Sequence, residues 1–331
     1  MTTRYDEKMG RILKGEYRKG DFILADAKDC DMSGGIPTAG LRRGEDGRSQ
    51  RYRSRMEFVA EIEALIAQDV VDIMLTSTSN MELLQARQAF ASGNVKAAFR
   101  ANDATDMWSF IRGGRYREAP SRPFRSVDLS RAKADLCLYS VTFNNDTDAD
   151  LASLEAFKIF RDDIRTLDKD YFLEVFNPNK PNGIPDNEQG SYVNDCVIRT
   201  LAGLTLAERP RFLKVAYNGP AAMEELASYD PSVVVGILGG GSGTLRDTFE
   251  LVLQAEKYGA RLALFGRKIN SAEHQPSLIT WLRAVADGDA TSTEAVRGYH
   301  GAIAALGLQP DRSLDDDLLI TEEVLSEATE G

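Results

Sequence analysis

Histidine and cysteine are scarce in this chain of 331 residues, with two and three copies. His274 and His300 both lie late in the sequence, and no CxxC or HxxxH spacing occurs, so a metal centre built on imidazole or thiolate is poorly supplied. Cys30, Cys137 and Cys196 are odd in number and far apart, which excludes a disulfide framework. Positive charge is also short. Lys plus Arg total 40 against 51 for Asp plus Glu, a net charge of −11, which argues against a dedicated nucleic-acid binder. Long apolar runs are missing as well: Val233 to Leu238 is of strand length, far below the ~18 residues that span a membrane. The first twenty residues mix both charge signs without the apolar stretch of a signal peptide. The expectation is a cytoplasmic protein without membrane or nucleic-acid partners.

Hydrophobic residues make up 43% of the chain, enough for a large core. Short apolar segments alternate with longer amphipathic ones. The candidate strands are Phe22–Ala25, Asp72–Thr76, Ala97–Arg100, Leu136–Thr142, Tyr171–Phe176, Phe212–Tyr217, Val233–Leu238 and Arg261–Phe265. The helical patterns are Met56–Gln68, Met81–Ser92, Asp150–Leu167, Tyr192–Leu206, Ala221–Ser228, Leu245–Tyr258 and Ser277–Ala286. The strands are continuous apolar runs, as in a parallel sheet buried on both faces. Eight βα units in roughly 250 residues predict an α/β protein with a single closed (β/α)8 TIM barrel rather than an open doubly wound sheet. The expected division is a helical lead-in over 1–20, the barrel over 21–290, and a helical extension with a solvated acidic tail over 291–331. Two loops, Gly113 to Val127 after the third strand and Asn177 to Gly190 after the fifth, fall on the face where barrels carry their active sites.

Charge inside apolar strands marks candidate chemistry. Lys214 sits in Phe212-Leu213-Lys214-Val215-Ala216-Tyr217. A buried ammonium is costly unless it is paired or deprotonated, and a desolvated lysine amine is a nucleophile for carbonyls. Glu174 is embedded in the fifth strand in the same way, and the first strand runs into Asp26 and Lys28. For each charge alone, a structural ion pair explains the sequence equally well. Three such strands converging on one barrel favour a reaction. The seventh strand ends in Gly239-Gly240-Gly241-Ser242-Gly243-Thr244 and the eighth in Phe265-Gly266-Arg267-Lys268. Barrels frequently bind phosphate with these two loops, and the Arg267 fork matches phosphate oxygens. Neither a Walker loop nor a dinucleotide fingerprint is present.

The ordered set FLKVAY (212–217), GGGSGT (239–244) and FGRKI (265–269), with FLEVF (172–176), resembles the class I aldolases of the tagatose-bisphosphate and archaeal fructose-bisphosphate type. The resemblance covers about Phe22 to Ile269 and is clearer in the C-terminal half. It implies a (β/α)8 barrel and a cofactor-free, metal-free Schiff-base lyase. Such an enzyme cleaves a phosphorylated ketose to a dihydroxyacetone-phosphate-like product and an aldehyde in carbohydrate catabolism. Lys214 would match the Schiff-base lysine, Glu174 the strand-five glutamate that handles protons, and Asp26 the strand-one aspartate on substrate hydroxyls. Gly240, Gly241, Gly266 and Arg267 would match the phosphate site, with Arg100 or Asn102 orienting hydroxyls.

The tagatose type carries a second lysine on strand four, absent from Ala134-Asp135-Leu136-Cys137-Leu138-Tyr139-Ser140. Tyr139 matches the tyrosine of the archaeal type, although one residue of slip puts it on the other face; Lys28 is the alternative cation. A transaldolase- or thiolase-like reaction at the same lysine and a non-catalytic sugar-phosphate sensor stay open as rivals. Exposed helix faces on a barrel often support assembly, so a homo-oligomer is expected.

Overall fold

The computed structural model describes residues 2–43, 49–179, 182–240 and 243–326. Eight strands close into one barrel: β1 (Ile23–Lys28), β2 (Ile73–Thr76), β3 (Lys96–Arg100), β4 (Leu136–Thr142), β5 (Asp170–Phe176), β6 (Leu213–Val215), β7 (Val235–Leu238) and β8 (Leu262–Phe265). Each is parallel to both neighbours, and β8 pairs with β1. The helices between and after them are α2 (Arg55–Gln68), α3 (Thr78–Ala86), α4 (Thr147–Ile164), α5 (Gln189–Ala202), α6 (Pro220–Tyr229), α7 (Leu245–Lys257), α8 (Gln275–Ala286) and α9 (Ser292–Ala305), with α1 (Arg4–Leu13) preceding the barrel. This is the (β/α)8 architecture expected.

Both faces of the strands are largely apolar because both are covered, which is why the strands read as nearly continuous runs. Ile23, Ala25, Ile73, Leu75, Ala98, Leu136, Leu138, Phe172, Phe212, Leu262 and Leu264 fill the barrel lumen. Leu24, Met74, Phe99, Cys137, Tyr139, Leu173, Leu213, Ile237 and Phe265 pack outward against the helices. Phe172 on β5 and Phe212, immediately before the neighbouring β6, stack at 4.4 Å inside the lumen.

The stretch from β3 to β4 holds no long helix. A two-residue ladder of Asp103–Ala104 with Pro123–Phe124 braces a single turn over Met107–Phe110, on which Trp108 packs against Tyr116 and Phe124, each at 4.9 Å. At α3 the N-cap is Ser77, so the helix starts earlier than the Met81 of the sequence pattern. Ser77 makes no cap bond; its hydroxyl donates to Asp31 at 2.7 Å. His274 caps α8, accepting from the Ser277 amide.

At the N-terminal end of the barrel, α1 is a plug. Thr3 and Asp6 form its capping box, and Tyr5 and Met9 close the lumen, Tyr5 edge-on to Phe212. Asp72, fully buried, holds the plug in place. It accepts from Arg4 at 2.7 Å, from Lys8 and Arg283 at 3.1 Å each, and from the Leu24 amide at 2.8 Å.

The acidic tail is exposed along much of its described length, as its charge suggests, but is anchored at particular residues. Asp317 is buried, accepting from the Leu245 amide at 3.1 Å and meeting His300 at 2.9 Å. Leu325 enters the core at 2% exposure, and its carbonyl accepts from Gln254. Asp247, at the start of α7, accepts from the amides of Thr321 and Glu322 and from the Thr321 hydroxyl. Burial opposes its charge, but these donors and Thr244 hold the carboxyl below its usual range. Apolar residues spaced between the acids supply the anchor, and the acids bind helix-start amides. Residues 327–331 lie outside the described residues.

Two outcomes follow. Asp72→Ala leaves the buried Lys8 ammonium without its carboxylate, so thermal unfolding should shift down by roughly 4–7 °C, corresponding to about 3–5 kcal/mol. Asp247→Asn should release the tail, read as new protease cleavage between residues 318 and 326 with the melting temperature of the barrel little changed; an uncut tail would contradict the clasp.

Candidate active site

Inward-facing positions alternate along each strand, so one layer near the C-terminal end of the barrel can be read from the register. Ser140 on β4 stands beside Glu174 on β5, Glu174 beside Lys214 on β6, and Lys214 beside Gly236 on β7. Lys214 Nζ meets Glu174 Oε1 at 2.5 Å. Arg100, at the end of β3, meets Glu174 Oε2 at 3.1 Å and Asp29 Oδ2 at 2.5 Å, and also donates to the Ser140 hydroxyl. Ser140 Oγ in turn donates to Glu174 Oε2 at 3.1 Å. Asp29, Arg100, Glu174 and Lys214 are all under 8% exposed. Two cations therefore face two carboxylates in a chain across four strand ends, which removes the cost of any one buried charge. Burial works against the Arg100 charge, but Asp29 and Glu174 hold its pKa above the usual arginine value.

The chain opens on a cavity of about 250 Å³ at the C-terminal mouth of the barrel. Lys214, Glu174, Arg100, Asp29 and Cys30 line its floor, Asp106, Met107 and Phe110 one wall, and Asn177 and Asn179 from the loop after β5 another. Gly239, Gly240, Gly266 and Arg267 form the remaining side. Gly240 has φ +57 with open space where a side chain would stand, so the left-handed backbone itself calls for glycine. At Gly266 the reason differs: a Cβ would come within 2.9 Å of the Ala27 carbonyl oxygen. Arg267 is exposed at the rim with its guanidinium 5.0 Å over the Phe110 ring. Gly241 lies outside the described residues.

Three of the site residues expected from sequence stand elsewhere. Asp26 and Lys28 lie on the outer face of β1, because Ala25 and Ala27 occupy the lumen side. They pair with each other at 3.3 Å behind the strand, where Lys28 also donates to Asn270 and, at 2.8 Å, to Gln275. Burial pushes the Asp26 carboxyl up to about 6, and the Lys28 charge only partly offsets it. Tyr139 likewise faces outward, stacked on Phe160 at 4.4 Å, and burial raises its phenol pKa. The slip of one residue is real: Ser140 holds the inward position that Tyr139 was expected to take. Asn102 also faces inward, but its amide is used by the Ser140 backbone.

Sequence reasoning missed Asp29, Ser140 and Asp106. Asp29 follows β1 by one residue, so the inward parity of Ala25 and Ala27 points to it. Asp106 is half-buried; its Oδ1 accepts from the Met107 amide at 2.8 Å and its Oδ2 from Thr142 at 2.5 Å, and burial raises its pKa. Cys30, one residue beyond Asp29, has its thiol pushed up to about 12 by burial. Among the described residues no three His, Cys, Asp or Glu side chains gather as they would around a metal ion, and no helix is long and apolar enough to cross a membrane.

No protein-family model and no curated protein matches the chain. Among solved structures it is similar to an archaeal fructose 1,6-bisphosphate aldolase, at TM-score 0.59 and 15% identity over 86% of this chain and 99% of that one. A second archaeal fructose-1,6-bisphosphate aldolase, solved with its catalytic lysine covalently bound to the carbinolamine intermediate of the substrate, matches at TM-score 0.60 and 14% identity over 86% of this chain and 100% of that one. The fructose-bisphosphate aldolase from Slackia heliotrinireducens DSM 20476 matches at TM-score 0.62 and 10% identity over 90% of each chain. At these identities the likeness is one of fold: this chain forms a closed (β/α)8 barrel like these aldolases.

Proposed function

We propose that the protein is a class I aldolase that cleaves a phosphorylated ketose through a Schiff base on Lys214, giving a dihydroxyacetone-phosphate-like product and an aldehyde. The observation that carries this reading is a buried lysine in β6, paired with Glu174 at 2.5 Å and open to the cavity at the C-terminal mouth of the barrel. The fold neighbour whose catalytic lysine carries a carbinolamine supports it.

Attack on the substrate ketone needs the free amine of Lys214, and Glu174 Oε1 is the acceptor in place for its proton. Glu174 returns that proton to the departing hydroxyl, so that the carbinolamine loses water and becomes an iminium, the electron sink for breaking the C3–C4 bond. The same carboxylate then faces the cationic nitrogen, so the negative charge is already where positive charge develops. Arg100 and Ser140 fix the other oxygen of Glu174, and Asp29 balances Arg100, which leaves the carboxylate little freedom to move. A phosphate on the backbone of Gly240 and Gly266 and the Arg267 side chain supplies binding energy remote from the bond that breaks. In this reading the enzyme needs no cofactor and serves carbohydrate catabolism in the cytoplasm, assembled as a homo-oligomer through an exposed helix face.

A screen of ketose mono- and bisphosphates, read by the aldehyde released, tests the reading. At least one should be cleaved, and Lys214→Met should abolish that cleavage while circular dichroism stays unchanged; turnover retained by the variant refutes the mechanism. Arg267→Gln should raise KM about tenfold to a hundredfold, as expected for losing a charged hydrogen bond worth roughly 1.5–3 kcal/mol, with kcat nearly unchanged. An unaltered KM would remove Arg267 from the phosphate site.

A further inference from the structure

Strand four offers neither a lysine nor a tyrosine to the cavity; its inward positions near the mouth are Ser140 and Thr142. Both hydroxyls are spent on carboxylates: Ser140 on Glu174, Thr142 on Asp106 at 2.5 Å. The two carboxylates differ in kind. Glu174 has Lys214 on one oxygen and Arg100 on the other, so it stays tied to the lysine. Asp106 stands at the wall of the same cavity and is held by neutral donors, the Met107 amide and the Thr142 hydroxyl. We propose that Asp106 is the catalytic acid–base of the carbon–carbon cleavage, held in position by Thr142. The proposal rests on the Schiff-base reading above.

The step balances as follows. Ionised Asp106 takes the proton of the C4 hydroxyl. The O–H electrons form the aldehyde C=O, the C3–C4 pair becomes the enamine double bond, and the C2=N π pair settles on nitrogen. After the aldehyde leaves, protonated Asp106 gives the same proton to C3 and the iminium returns, ready for hydrolysis by water. The charged groups around the cavity are Asp29, Arg100, Glu174, Lys214 and Arg267. Burial and the Glu174 charge raise the Asp106 pKa, whereas Thr142 lowers it. That makes Asp106 a stronger base at the wall of the cavity that Lys214 lines.

The test uses the full chain with dihydroxyacetone phosphate and with the cleaved ketose phosphate. In Asp106→Asn, borohydride should still trap an adduct on Lys214, because the iminium forms without Asp106. Cleavage should fall about 10²–10⁴-fold, and solvent deuterium exchange at C3 of dihydroxyacetone phosphate should fall with it. Asp106→Glu should restore part of both. Thr142→Val keeps the carboxylate and removes its donor, so the acid limb of the kcat profile should move up by roughly one pH unit. Cleavage within threefold of the unaltered protein in Asp106→Asn overturns the assignment, as does loss of the adduct together with turnover, or an acid limb unmoved by Thr142→Val. Absence of any adduct in the unaltered protein would instead contradict the Schiff-base reading itself.

Discussion

Four charged side chains in one line, Asp29, Arg100, Glu174 and Lys214, organise the mouth of this barrel. None could be buried alone, since an isolated ion loses several kcal/mol of hydration that only a well-placed partner returns. As a chain they neutralise one another, and each fixes the next. Arg100 reaches from β3 to the carboxylates beyond β1 and on β5, and Glu174 reaches to β6. The positioning of Lys214 is therefore a property of four strand ends rather than of its own strand. The network also sets the electrostatics of the proposed reaction: the proton passes from Lys214 to Glu174 as the amine attacks, and when the carboxylate gives it up again the counterion stands beside the iminium that forms.

The two ends of the barrel divide the work. At the N-terminal end, Asp72 gathers three cations and a backbone amide and locks α1 beneath the lumen. At the C-terminal end the buried charges border open space. The tail belongs to this second end. Asp247 clasps Thr321 and Glu322 at the start of α7, directly after the loop that carries Gly240. Lys268 donates to the carbonyls of Gly243 and Thr244, at 2.9 and 3.1 Å, so the same loop is braced from β8 as well.

The barrel was legible because strands buried on both faces and spaced by amphipathic helices leave a strong periodic trace. Lys214 and Glu174 were legible for the opposite reason: a charge in an apolar strand breaks the pattern. The same rule misled at β1. When both faces of a strand are covered, a charge can be buried on either, and Asp26 with Lys28 proved to be an ion pair on the helix side. Nothing in the local composition separates the two faces; only the register of the closed barrel does. Tyr139 fell to the same parity, and its neighbour Ser140, an ordinary serine in sequence, took the inward place. Asp106 lies in an irregular stretch with no period at all, close to an equally plausible Asp103, and only the fold brings it over the cavity. The anchors of the tail were hidden by its net charge, because Leu325 and Asp317 act singly and not through the average of their segment.

The account stands most directly on the identity of the nucleophile. Borohydride reduction in the presence of dihydroxyacetone phosphate, followed by peptide mass mapping, reads it without knowledge of the natural aldehyde. The account predicts one reduced adduct, on the peptide that contains Lys214. An adduct on a different lysine, or ketose phosphate cleavage with no adduct at all, would contradict it.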